Sequence, residues 1–187
     1  YFEETPLKES LAATLQQLQL DGDVNARLHL DIPLDGEMTT AKGDVRLKNN
    51  SLYIKPLEST LKNLSGQFSF ENGNLKSEPL TASWFNQPVN IDFTTTEGEK
   101  AYQVAVNLDG NWQPARMDVL PKRIEASVEG AVAWQGKVAI DLPYHAGAQY
   151  KVDITGDLKN LRSQLPAPLD KQAGQPLPVK LNVEGNL

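Results

Sequence analysis

The chain contains no cysteine, so disulfide frameworks, thiolate metal sites and thiol catalysis are excluded from it. Histidine is nearly as scarce: His29 and His145 are the only two, and they lie far apart in the sequence. No Gly-x-Ser-x-Gly elbow is present to activate a serine, and no glycine-rich run opens a helix to cradle a phosphate. No loop gathers acidic residues in the manner of a calcium-binding EF-hand. No stretch reaches the roughly 20 consecutive apolar residues of a transmembrane helix. The start, Tyr1-Phe2-Glu3-Glu4, has neither the basic nor the apolar region of a signal peptide. Basic residues number 18 against 24 acidic ones, for a net charge of −6, with no long run of one sign. Nucleic acid and a polybasic membrane anchor are therefore not expected, since both need a basic footprint. These absences point away from an enzyme, and no cofactor or metal is expected.

What the sequence does have is strict alternation of apolar and polar residues, which in a strand sends successive side chains to opposite faces. Val24, Ala26, Leu28, Leu30 and Ile32 alternate with Asn25, Arg27, His29 and Asp31. The pattern recurs at Val45/Leu47, Phe68/Phe70, Val89/Ile91/Phe93 and Tyr102/Val104/Val106/Leu108. It continues at Ile124/Ala126/Val128/Val132/Trp134, Val138/Ile140/Leu142, Tyr150/Val152/Ile154 and Leu177/Val179/Leu181/Val183. Asp35-Gly36, Asn49-Asn50, Asn72-Gly73, Glu97-Gly98 and Gln135-Gly136 read as short turns between these runs. Short turns join antiparallel neighbours, so the chain is predicted to be mainly β, a meander of about ten or eleven strands.

Helix is the minority. Leu7, Leu11, Leu15 and Leu18 share a face of an amphipathic helix predicted over residues 6–18, with Thr5 as cap and Pro6 at its first position. Residues 114–122 and 157–164 suggest two brief helices, and Leu165-Pro166-Ala167-Pro168-Leu169 reads as extended. The expected organisation is one segment over residues 1–187, with a first group of strands at 19–113, a short helical connection at 114–123 and a second group at 124–187. The alternation still running at Val183-Glu184-Gly185-Asn186-Leu187 suggests a piece of a larger protein.

Strands lie about 4.8 Å apart, so eleven of them span roughly 50 Å, more than a few helices about 10 Å wide can cover. The apolar face must be hidden by closure into a sandwich or barrel, or by curvature into a trough completed by an apolar ligand. Periodicity alone leaves both open. A closed sandwich would suit an adhesion or assembly module, and Trp84, Trp112 and Trp134 would suit a carbohydrate-binding platform.

A family resemblance favours the trough. The stretch from Gly156 through Leu165-Pro166-Ala167-Pro168-Leu169 to Lys171 resembles the AsmA-like proteins of Gram-negative bacteria. Trp134-Gln135-Gly136-Lys137 and Leu64-Ser65-Gly66-Gln67-Phe68 are similar to them as well. The resemblance implies a periplasmic section of an inner-membrane-anchored bridge, with an open β-groove through which phospholipids reach the outer membrane. The implied partners are phospholipid acyl chains and adjoining groove segments of the same chain, with membranes contacted only through other parts of the protein. The candidate lining residues are whole alternating sets, represented by Val24, Leu28, Leu30, Val104, Val106, Val138 and Ile140.

Overall fold

Alternating sequence becomes strand almost throughout. A computed structural model describes residues 18–31, 40–117 and 121–186. Its strands are β1 (Leu18–Asp21), β2 (Val24–Asp31), β3 (Thr40–Ile54), β4 (Ser59–Glu71), β5 (Asn74–Ser77), β6 (Leu80–Trp84) and β7 (Gln87–Glu97). They continue as β8 (Ala101–Trp112), β9 (Val128–Glu129), β10 (Val132–Pro143), β11 (Gln149–Asp157), β12 (Arg162–Gln164), β13 (Asp170–Lys171) and β14 (Pro178–Asn186). Eleven form one antiparallel sheet in the order β1-β3-β4-β5-β7-β8-β10-β11-β14, with β2 beside β1 on β3 and β6 between β4 and β7. β14 does not return to pair with β1 or β2, so the sheet is open and not a closed barrel. Its eleven strands share nine columns, giving a width of about 38 Å rather than the 50 Å that single file would require.

Two columns are shared because β3 and β4 each pass through an irregularity. Asn49 and Asn63 both adopt φ 55°, and the β3–β4 register slips between Leu47 and Leu52. Asparagine tolerates the left-handed region better than most residues, which lets a bulge turn the strand without ending it. β2 pairs with residues 40–47 before the bulge, and β1 with 51–54 beyond it. Asn49-Asn50 is therefore a bulge within β3, not the expected turn. Gln135-Gly136 likewise lies inside β10, where the missing Cβ of Gly136 leaves room for Trp134 and Leu108. Asn72-Gly73 does form the tight turn between β4 and β5, while Asp35-Gly36 lies outside the described residues.

The N-terminal helix expected over 6–18 also lies outside the described residues, except Leu18, which begins β1. Residues Pro114–Arg116 and Leu158–Asn160 form single 3-10 turns, and α1 (Lys122–Glu125) is a four-residue helix. Ile124, expected in a strand with Ala126, is in α1 instead. The chain reverses there after Pro121, whose carbonyl accepts the Ile124 and Glu125 N–H groups. The expected brief helix at 157–164 gives way after Asn160 to β12, and the proline-rich stretch bends rather than extending, with Leu169 N–H bonded to Pro166 O. These connections supply the three-stranded sheet β13-β12-β9, pinned by Lys171 Nζ, which donates to the Leu161 and Gln172 carbonyls at 3.0 Å.

Most of the packed core lies in one part of the large sheet. Leu47, Leu61, Leu64, Leu80, Ala82, Val89 and Ile91, from β3, β4, β6 and β7, form a buried cluster around the bulges. A second, smaller one pairs Tyr102 with Leu142. Leu20, Leu28, Leu30, Leu177, Leu181 and Val183 are among the large apolar residues left exposed. Much apolar area is left in contact with water.

A continuous apolar face as the candidate functional site

Residues directly opposite each other on neighbouring strands project from the same face, so the register decides whether local alternation adds up to a surface. Here it does. One row across all nine columns reads Ala26, Val45, Phe68, Ser77, Phe93, Val106, Val138, Val152 and Val183. The next row reads Leu28, Gly43, Phe70, Leu75, Thr95, Val104, Ile140, Tyr150 and Gly185. The two polar members are satisfied by the protein: Ser77 Oγ accepts the Phe93 N–H at 2.7 Å, and Thr95 Oγ1 accepts the Leu75 N–H at 2.7 Å.

The opposite face is polar and self-paired. Asn90 and Asn107 donate to Asp109 and Asp92, Gln103 to Asp141, and Asn182 to Asp153, all between adjacent strands. Lys42–Glu71 at 2.7 Å and Lys151–Glu184 at 2.9 Å join the same face, and each carboxylate raises its lysine's pKa by hydrogen bond and charge. His29 is exposed opposite Lys42, and His145 is exposed in the loop after β10. Among the described residues no three His, Cys, Asp or Glu side chains are grouped to hold a metal. Two open depressions, of about 710 and 860 Å³, are lined mainly by polar-face residues such as Gln103 and Asp141, or Lys42 and Glu71. Neither depression lies mainly on the apolar face.

Burial along that face is graded. In β8, β10 and β11 the residues Val104, Val106, Val138, Ile140, Val152 and Ile154 are half-buried, while Leu142 is buried against Tyr102. At the two edges they open to solvent, with Leu28 at 63% and Leu30 at 51% in β2, and Leu181 at 54% and Val183 at 41% in β14. All seven residues singled out from sequence lie on this one face. Val106 pairs with Val138 and Val104 with Ile140, making one compact group of four. Val24, Leu28 and Leu30 form a separate group on β2, five columns away or about 24 Å. Sequence reasoning did not single out Val152, Val179, Leu181 and Val183, which continue the face to its far edge, although the same alternation marks them.

The three tryptophans border the face but make no flat platform. Trp112 meets Trp84 and Trp134 edge-on, with centroids 6.0 and 4.6 Å apart, and Phe85 stacks on Trp84 at 5.0 Å. The indole N–H groups of Trp84 and Trp112 are spent on Ser59 Oγ and Pro88 O. Asn50, fully buried, carries no chemistry either. It donates to the Asp21 and Asp23 carbonyls and accepts the Lys48 N–H, tying the β1–β2 turn to the bulge. Tyr102 closes the rim near the β4–β5 turn: its hydroxyl donates to Gly73 O at 2.7 Å and lies 2.6 Å from Thr95 Oγ1. Burial raises the pKa of that phenol.

Among the described residues no helix is long and apolar enough to cross a membrane. No solved structure matches the chain. It is 71% identical, over all 187 residues, to the intermembrane phospholipid transporter YhdP of Escherichia coli (strain K12). The chain spans about 15% of the length of that relative. The family described as YhdP protein matches residues 1–187, and the chain belongs to that family.

Proposed function

We propose that this chain is a periplasmic segment of a bridge-like lipid transport protein, and that its apolar sheet face shields phospholipid acyl chains between the inner and outer membranes. The observation that carries the reading is the predominantly apolar face that runs in register across nine columns, interrupted only at Ser77 and Thr95 in its two central rows, and is open at both edges. The relative's name as an intermembrane phospholipid transporter supports the choice of ligand. Residues 1–187 act as one groove segment, with Val24, Leu28, Leu30, Val104, Val106, Val138 and Ile140 in its lining. Val152 and Val183 extend the same row.

The mechanism is passive. Each methylene removed from water contributes about 0.8 kcal/mol, so a continuous lining holds an acyl chain while the headgroup stays hydrated. Because neighbouring columns present similar residues, displacement by one strand spacing exchanges equivalent contacts, and the chain slides without a deep well. Among the described residues no strand pairs with the outer edges of β14 and of β1/β2, and such edges suit adjoining strands of the same protein. Membranes are contacted through those other parts, and no catalytic step is required.

Photo-crosslinking from Val104 in the intact protein in cells, followed by mass spectrometry of the adduct, tests the reading. A phospholipid adduct is expected. A folded protein that never labels lipid from this position overturns it.

A further inference from the structure

Strand side chains ordinarily stand away from the sheet. In one row of the apolar face two aromatic rings do not. An ideal Cβ built on Gly185 would lie 2.6 Å from Tyr150 Oη and 2.7 Å from its Cζ, so the ring lies flat across the neighbouring strand. Built on Gly43, it would lie 2.5 Å from Phe70 Cζ and 2.6 Å from Cε1, so the Phe70 ring does the same across β3. Neither glycine has the positive φ that would require glycine for its backbone. Both are paired strand positions, Gly43 well inside β3 and Gly185 one residue from the end of β14, where glycine weakens the strand and a β-branched residue would serve better. What these positions require is space above the backbone.

The two pairs occupy the same row, and the rings fold in opposite directions, Phe70 towards β3 and Tyr150 towards β14. Between them that row holds Leu75, Thr95, Val104 and Ile140. We infer that Gly43 and Gly185 are clearance positions: by letting the largest side chains of this row lie down, they keep the path along the apolar face deep enough for an acyl chain. This rests on the acyl-chain reading above. A side chain at Gly185 would force the Tyr150 ring upright beside Ile140, into the path. Gly185 is the cleaner site to test, because a Cβ at Gly43 would also meet the backbone carbonyl of Arg27.

The test is photo-crosslinking from Ile140 in the intact protein in cells, comparing wild type, Gly185→Val, Tyr150→Ala and the double variant. Lipid labelling is expected to fall severalfold in Gly185→Val and to return in the double variant to the level of Tyr150→Ala, where no ring remains to be raised. If Gly185→Val labels as wild type while only its melting temperature moves, the glycine serves sheet packing alone and the inference is overturned. A double variant as poor as Gly185→Val overturns it too, because damage to the fold is not cured by removing the ring. Absence of lipid on the wild type instead sinks the acyl-chain reading, and this inference with it.

Discussion

The two sides of the large sheet carry the same alternation and use it differently. From β3 to β7 the apolar residues pack on one another around the paired bulges, and Leu64, Leu80 and Val89 are buried. From β8 to β14, apart from the buried Tyr102–Leu142 pair at one end and Val128 in the small sheet, the same pattern gives residues that are half-buried and then, in β14, openly exposed. Shortening strands and doubling them in a column lets a sheet turn on itself and fill its own concavity. Long single-file strands, such as β8, β10 and β11, leave the face to whatever is brought to it. One side therefore stabilises the segment, and the other is free to bind.

The sharpest way to break that contrast is paired truncation. Leu64→Ala should cost about 3 kcal/mol in denaturant unfolding, the usual loss for a buried leucine. Leu181→Ala at the open edge should cost well under 1 kcal/mol. Equal losses would mean that both sides are core. Asn50→Ala comes next, at about 2 kcal/mol, because it strips partners from buried backbone groups that hold the β1–β2 turn.

Tyr102→Phe should cost about 1 kcal/mol by removing the hydroxyl between Gly73 O and Thr95 Oγ1. Tyr102 also sets an alkaline limit. Its folded pKa is raised, first by burial, so above the ordinary phenol pKa near 10 the unfolded chain releases the proton more readily. Stability present below that pH is lost as pH rises through the folded value, and Tyr102→Phe should flatten this fall. The smallest effect belongs to Lys151→Met beside Glu184: the pair is exposed, and no measurable change in melting temperature is expected. Substituting Val183→Asn sharpens the comparison from the other direction, with stability unchanged and lipid labelling from Val104 reduced.

One turn was missed and another misread from sequence for identifiable reasons. Phe85-Asn86 makes the two-residue turn between β6 and β7, with φ 49° and 59°. Phenylalanine is a poor turn former, and only the ring contacts with Trp84 and Trp112 reveal why it is held there. Asn49-Asn50 has turn composition but continues a strand, because Ser65 Oγ accepts the Asn49 N–H across the bulge. Tertiary partners outweighed local preference at both places.

The sequence by itself determined that this is a β chain and which residues share parity within each strand, since a period of two is set by the backbone one residue at a time. It also set the separation of polar from apolar sides, and with it the seven lining candidates. Only the tertiary structure decided that the strands align in register, so that separate stripes become one face. It alone decided which part of that face is filled by its own side chains and which is left open. Register and burial depend on pairings between residues distant in sequence, and on bulges that shift them by single positions.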